Sequence, residues 1–235
     1  MDPGRQTPSE RPGVLFDVDG TLVDNSYFHT VAWWRACREG GVTLGQSFIH
    51  RLIGQGSDQF LASIGQEGRD ELADRHTVHM EPFQSEQQPF ARAADLLREL
   101  HRRGAVVALA SSMKGKDTPQ VLELIGAGDA IAAVTTSEDV EATKPAPDLF
   151  GVALKTSHLD PARTLVVGDT GWDIEAAARA GVACVALQSG GWAPAELSEA
   201  GAIAVYRDAE DLLAHLDESP LGALLRGEAI DGPPA

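Results

Sequence analysis

Short apolar runs that end in small or acidic polar residues recur five times along the chain. Val14-Leu15-Phe16 leads into Asp17-Val18-Asp19-Gly20-Thr21. The run at 106–110 leads into Ser111-Ser112, that at 131–134 into Thr135-Thr136, that at 164–167 into Gly168-Asp169, and that at 182–187 into Gln188-Ser189-Gly190. Each is continuously apolar, which suits a strand of a parallel sheet buried on both faces. Helical patterns separate them. Ala93, Leu96, Leu97 and Leu100 fall at i, i+3, i+4 and i+7, with Arg98, Arg102 and Arg103 off the stripe and Gly104 to stop it. Val121 to Ile125, stopped at Gly126, forms a second pattern. Leu149, Val152 and Ala153 after Pro147-Asp148 form a third, and 174–179, stopped at Gly181, a fourth. Strand and helix in alternation predict an α/β fold, a doubly wound, Rossmann-like parallel sheet.

The alternation breaks between residues 24 and 88. Strand-like runs vanish there, and helix-like patterns occupy 31–37, 48–53, 60–64 and 72–79. Polar stretches bound the segment, Asp24-Asn25-Ser26 on one side and Gln84 to Pro89 on the other. It reads as a helical insert hinged at both ends. The organisation expected is a disordered N-terminus over 1–13, a core domain from 14–23 and 89–217, a helical domain over 24–88, and a mobile tail over 218–235, where Pro and Gly recur.

Charge narrows the functional classes. The 235 residues carry 35 Asp and Glu against 19 Lys and Arg, a net charge of −16. Such a chain repels a phosphate backbone, so no nucleic-acid partner is expected, and it draws divalent cations toward any carboxylate cluster. Cys37 and Cys184 form no CxxC pair and read as reduced thiols. No apolar run approaches the roughly 18 residues of a membrane span. The first twelve residues lack the apolar stretch of a signal peptide. The expectation is a cytoplasmic protein with no membrane partner, a monomer or weak dimer.

In an open α/β sheet the ligand site lies beyond the carboxyl ends of the strands. There the chain places Asp17 and Asp19, Ser111, and Asp169, with Asp173 one helical turn later; Lys144 lies ten residues after Val134. Unpaired carboxylates crowded on one edge repel and raise one another's pKa values. A bound Mg²⁺, a hard cation that prefers carboxylate and carbonyl oxygens, would remove that conflict.

The same segments resemble, in order, the four motifs of the haloacid dehalogenase (HAD) superfamily. Asp17-Val18-Asp19-Gly20-Thr21 resembles the first, Ser111 the second, Lys144-Pro145 the third, and Gly168-Asp169-Thr170-Gly171-Trp172-Asp173 the fourth. The insert resembles the helical cap of the subfamily that contains phosphoglycolate phosphatase and β-phosphoglucomutase. The resemblance implies Asp17 as a nucleophile that forms an aspartyl-phosphate. It implies Asp19 as the acid that protonates the leaving oxygen and then the base that activates water. Asp17, the backbone carbonyl of Asp19, and Asp169 would hold Mg²⁺, with Asp173 in the metal's outer shell or orienting Lys144. Lys144 would steady the phosphoryl charge and Ser111, or its rival Ser112, would hydrogen-bond a phosphoryl oxygen. Gly20, Thr21, Ser112 and Lys114 are the further phosphate candidates, and His29, Gly54 and Gly56 the candidates on the cap. Trp33 and Trp34 read as cap core ahead of substrate platform. Arg51, Arg69 and Arg75 read as solvated helix charges, with a clamp for a substrate anion as the alternative for one of them.

Five activities share this scaffold. A dehalogenase normally lacks the second aspartate of the first motif, and Asp19 is present. A phosphonate hydrolase needs a cap lysine, and no lysine precedes Lys114. Transport ATPases need membrane spans. A mutase of the β-phosphoglucomutase type uses a basic residue in the cap loop, and residues 53–58 contain neither Lys nor Arg. The expectation is a Mg²⁺-dependent phosphatase acting on a small phosphorylated metabolite. A phosphomutase and a non-catalytic phosphate or metal binder are the alternatives.

Overall fold

The computed structural model describes residues 11–230 and 232–233. Six parallel strands form the central sheet: β1 (Gly13–Phe16), β4 (Val106–Ala110), β5 (Ile131–Thr135), β6 (Thr164–Gly168), β7 (Ala183–Leu187) and β8 (Ala204–Tyr206). Their spatial order is β5-β4-β1-β6-β7-β8, with β1 in register between Val106–Leu109 on one side and Thr164–Val167 on the other. Period-2 alternation within each strand feeds two separate cores. On one face Val14, Phe16, Val107, Leu109, Val167 and Val185 pack under α5 (Ala93–Arg102), α6 (Thr118–Ile125) and α10 (Ala209–Ala214). On the other, Leu15, Ala108, Val166 and Cys184 pack under α7 (Asp148–Thr156), α8 (Gly171–Arg179) and α9 (Pro194–Glu199). Both cysteines are buried free thiols.

The insert leaves and re-enters through a short antiparallel ribbon, β2 (Val23–Asp24) against β3 (Gln88–Pro89). Between them lie α1 (Ser26–Glu39), α2 (Gln46–Leu52), α3 (Ser57–Ser63) and α4 (Asp70–Met80). These are the four helices the apolar pattern predicts, each starting two to five residues earlier. Their shared core is Trp33, Cys37, Ile49, Leu52, Phe60 and Leu72. No helix among the described residues is long and apolar enough to cross a membrane.

The structure corrects the chain's expected ends. The disorder expected over 1–13 falls, for residues 1–10, outside the described residues. Residues 11–13 are built in: the Arg11 guanidinium donates to Gly104 O at 3.1 Å, Pro12 O accepts from the Val106 amide, and Gly13 opens β1. The tail expected to be mobile from 218 instead forms α11 (Pro220–Leu225), capped by Ser219, whose Oγ accepts from the Gly222 amide. Leu221 and Leu224 of that helix are buried in the first core. The Pro and Gly of this stretch masked a one-and-a-half-turn helix with two anchors, Pro220 standing at N1 where its missing N–H costs nothing. Residues 231, 234 and 235 lie outside the described residues. β8 has three half-buried residues, too few to register as a run. A Leu221→Ala variant should lose about 2–5 kcal/mol of stability, read as a fall in the urea midpoint at unchanged slope. Termination after residue 230, beyond the contact of Ile230 with the first core, should leave the midpoint near that of the parent.

Candidate active site

Four side chains meet where β1 and β6 end. Asp17 follows β1 directly, and its amide donates to Val167 O at 2.9 Å, which carries the ladder one residue beyond the strand. Asp169 follows β6, and Asp173 stands in the first turn of α8. Lys144 arrives on the loop between β5 and α7; its ammonium donates to Asp17 Oδ1 and, at 2.7 Å, to Asp173 Oδ1. All four side chains are buried. Asp173 is fully committed: its Oδ2 accepts from the Thr170 hydroxyl at 2.6 Å and the Thr170 amide at 3.1 Å in a capping box. Asp169 Oδ1 accepts from the Thr21 hydroxyl at 2.6 Å. Asp169 Oδ2 lies in a cradle of two glycines, since a Cβ would stand 1.8 Å from it at Gly190 and 2.4 Å at Gly20, where φ is +81°. Asp17 Oδ2 takes no hydrogen bond from the described residues.

One ammonium serves three carboxylates, which leaves two negative charges uncompensated. Burial pushes the Asp17 carboxyl up to about 7; Lys144 opposes the rise, and Asp173 and Asp19 add to it. Burial, then Asp173 and Asp17, push Asp169 well above the ordinary carboxylate range. Burial works against the Lys144 charge, but Asp17 and Asp173 outweigh it and raise its pKa. Asp17, Asp169 and Asp173 each offer an oxygen within 4.8 Å of the others. Hard oxygen donors, a double charge deficit and a glycine-lined oxygen fit a divalent cation. Asp173 thus spends one oxygen on Lys144 and the other on Thr170.

Asp19 sits where core and insert meet. Asn25 Nδ2 donates to its Oδ1 at 2.5 Å, and His29 Nε2 lies 3.6 Å from the same oxygen. Burial would raise its pKa, but hydrogen bonds and charge from His29, with Asn25, outweigh that and hold it at about 2. His29 Nδ1 is 3.2 Å from His76 Nε2, and His76 stacks on Trp33 at 4.4 Å between ring centroids. Burial, and then the neighbouring His29, hold His76 well below the ordinary histidine range. A neutral imidazole carries one donor and one acceptor nitrogen, so the tautomers of the pair set which ring donates. Sequence reasoning reached His29 and missed Asn25 and His76. Asn25 follows the hinge strand directly, a position from which an amide can face back to Asp19. Nothing in the chain marks His76.

A cavity of about 220 Å³ opens above these groups. From the core it is lined by Asp17, Asp19, Ser112, Lys114, Lys116 and Lys144, and from the insert by His29, Trp33, Gly54 and Gly56 among others. Of the two serines, Ser111 is wholly enclosed and its Oγ accepts from the Met113 amide at 3.2 Å. Ser112 lines the cavity with a buried hydroxyl that has no partner. Gly20 and Thr21, expected as phosphate contacts, are turned to Asp169 and do not line the cavity. Trp33 is both core and wall, packed on Phe60 at 4.0 Å; Trp34 lies under the Arg38 guanidinium, away from the cavity. None of Arg51, Arg69 and Arg75 lines the cavity. Arg69 and Arg75 pair with Glu71 and Glu39 within the insert. Arg51 crosses to the core, bonds Glu196 at 2.7 Å, and covers the Trp192 ring at 3.7 Å.

Comparison with known proteins agrees with this geometry. Residues 14–187 match the haloacid dehalogenase-like hydrolase family. Validoxylamine A 7'-phosphate phosphatase of Streptomyces hygroscopicus subsp. limoneus is 27% identical over 178 residues, covering 74% of this chain and 84% of that protein. Phosphoglycolate phosphatase of Vibrio vulnificus is 27% identical over 197 residues, covering 78% and 86%. The crystal structure of a hydrolase from Pseudomonas syringae superimposes with a TM-score of 0.82 at 33% identity, covering 88% of this chain and 99% of that one. With the family matched across both halves of the sheet, and the first and fourth motifs brought together around Lys144, this chain belongs to the haloacid dehalogenase-like hydrolases.

Proposed function

We propose that the chain is a Mg²⁺-dependent phosphatase that hydrolyses small phosphate monoesters through an aspartyl-phosphate on Asp17. The observation that carries this reading is the Asp17 carboxylate. One oxygen is pinned by Lys144, and the other is free of hydrogen bonds beside a cavity that Asp19 also lines. In the first step Asp17 Oδ2 bonds to phosphorus, and the ester oxygen leaves with a proton from Asp19. In the second, Asp19 takes a proton from water, the water oxygen bonds to phosphorus, and Asp17 is released with inorganic phosphate. A carboxyl held at about 2 is ionised before water attacks and so free to take a proton, although so low a value makes it a weak base. For the acid role, an incoming phosphate dianion beside Asp19 favours its protonated form.

Lys144 would neutralise phosphoryl charge at the attacked centre, whereas Ser111, wholly enclosed and off the cavity wall, would brace the loop through the Met113 amide. Ser112, with its unpartnered hydroxyl, would take a phosphoryl oxygen. Mg²⁺, when bound, supplies positive charge between the nucleophile and the phosphoryl oxygens. Asp17, Asp169 and the Asp19 carbonyl would hold it, with Asp173 behind Lys144.

A phosphatase is favoured over a mutase by where the cations lie. The three lysines on the cavity, Lys114, Lys116 and Lys144, all come from the core, and the insert adds no Lys or Arg to the lining. A mutase must hold the second phosphate of its intermediate while that molecule turns round, and among the described residues the cap offers it no Lys or Arg. Phosphatase names among the relatives support the same choice. Interconversion of hexose 1- and 6-phosphates without phosphate release would overturn it.

Asp17→Asn should lower phosphate release from p-nitrophenyl phosphate by roughly ten-thousand-fold, and Asp19→Asn by roughly a hundred- to ten-thousand-fold. A second test reads stability. Asp169 titrates above its unfolded value, so ionising it costs stability as pH rises through the folded pKa. Metal-free Asp169→Asn should therefore unfold at a temperature equal to or above that of the parent at pH 8. Mg²⁺ at a hundred times its dissociation constant should stabilise the parent by about 2.7 kcal/mol and leave Asp169→Asn unmoved. Equal stabilisation of both by Mg²⁺ would remove Asp169 from the metal site.

A further inference from the structure

The loop joining α2 to α3 lies on two core threonines, each one residue or one hydrogen bond from the buried ion cluster. At the first, the Gly56 amide donates to Thr143 Oγ1 at 3.1 Å. The Thr143 hydroxyl donates to Asp58 Oδ1, and the Thr143 amide donates to Asp58 Oδ2 at 3.2 Å. Thr143 is buried and immediately precedes Lys144. At the second, Gly54 at φ +101° presses its backbone on Thr170, so that a Cβ there would lie 2.8 Å from the hydroxyl that holds Asp173. Gly56 is pressed as tightly, a Cβ there falling 2.3 Å from Thr143 Oγ1. Asp58 itself is on the exposed rim. Water could satisfy its carboxylate, yet both oxygens are turned onto one residue of the other domain, Oδ2 accepting from the neighbouring Gln59 Nε2 at 3.1 Å as well.

We propose that Asp58 is a positioning residue: seated on Thr143 through both oxygens, it fixes the backbone before Lys144 and so aims that ammonium at Asp17. The proposal rests on the reading of Lys144 as part of the reacting centre. When the insert lifts, Thr143 loses the Gly56 amide and both Asp58 contacts together, and the lysine loop is released. Turnover is thereby tied to a seated cap through a contact that touches no substrate. A purely structural role is the competing account, since Asp58 also stands in the first turn of α3, where a carboxylate is favoured.

The test compares the full-length parent with Asp58→Ala, Thr143→Val, Thr143→Ser and the Asp58→Ala/Thr143→Val pair, on p-nitrophenyl phosphate with Mg²⁺. Each of Asp58→Ala and Thr143→Val should lower kcat by roughly ten- to a hundred-fold, the scale of a misplaced catalytic group, with KM changed less than about threefold. The pair should be no worse than the poorer single variant, and Thr143→Ser should keep most of the parental kcat. Losses that multiply in the pair, or that track thermal midpoint alone, would overturn the proposal. So would an unchanged kcat in Asp58→Ala while Asp17→Asn is inactive, and the phosphatase reading would then survive by itself. A readout independent of turnover is the ¹⁵N-labelled lysine side chains, of which there are four. The buried Lys144 ammonium should give a slowly exchanging signal in the parent that Asp58→Ala broadens or abolishes. A parent that releases no phosphate from any ester refutes the phosphatase, and a Lys144 signal indifferent to Asp58→Ala refutes the positioning.

Discussion

A single ammonium buried among three carboxylates sets the terms for the rest of the molecule. Taking such charges out of water costs several kcal/mol per ion unless each is paired and hydrogen-bonded. Lys144 pairs two of the three and leaves Asp169 to a threonine hydroxyl and two glycines. The raised pKa values of Asp17 and Asp169 express what is left unpaid in the absence of a cation. An arrangement this unfavourable persists only where its surroundings over-determine it. Here they do: β1, β4, β6 and β7 are buried along their whole length. The Thr170–Asp173 capping box fixes the one carboxylate that must not move.

Sheet order explains why the cluster forms at this edge. β1 lies in the middle, with the chain's next strands on one side and its later strands on the other. That is the topological switch point, where the connecting loops part and open a crevice at the carboxyl ends. Asp17 leaves β1 into that crevice, Ser111 and Asp169 leave the flanking strands beside it, and Lys144 drops in from the loop after β5. The insert then departs from the loop after β1, so its helices roof the crevice and bring His29 to Asp19.

Much of this was legible in the chain because the strands are fully buried and their ends carry the chemistry. Continuous apolar runs marked five of the six sheet strands, and the aspartates following two of them marked the cluster. What escaped notice had a physical reason. β8 and α11 are short and lean on the core through a few residues, so neither produces a periodic signal. Thr21 sits within the most telling motif but spends its hydroxyl on Asp169, a pairing 148 positions away that no local pattern encodes. Arg51 looks like a solvated helix charge until the fold brings Glu196 and Trp192 to it. Asn25, His76 and Asp58 act on groups of another element, and each is an ordinary residue where it stands in the sequence.

The distribution of charge over the cavity divides labour between the two parts of the chain. Every cation on the wall, and the whole carboxylate cluster, belongs to the core. The insert brings an imidazole pair, an indole and amide side chains such as Gln55 and Gln84, and among the described residues Glu81 is its one carboxylate on the wall. Bond making at phosphorus needs opposed charges held rigidly, and a sheet edge supplies them. A movable roof that carried its own strong cations would be drawn down by the cluster beneath and would open with difficulty. The insert instead meets the core through glycine backbones, threonine hydroxyls, the rim carboxylate of Asp58, the contacts of Asn25 and His29 with Asp19, the Trp172 indole N–H donating to Arg51 O, and a peripheral ion pair, Arg51 to Glu196. Exposed pairs of that kind contribute about 1 kcal/mol or less. Contacts of this strength hold a roof in place without preventing its release, which is what a site that admits an ester and expels phosphate requires.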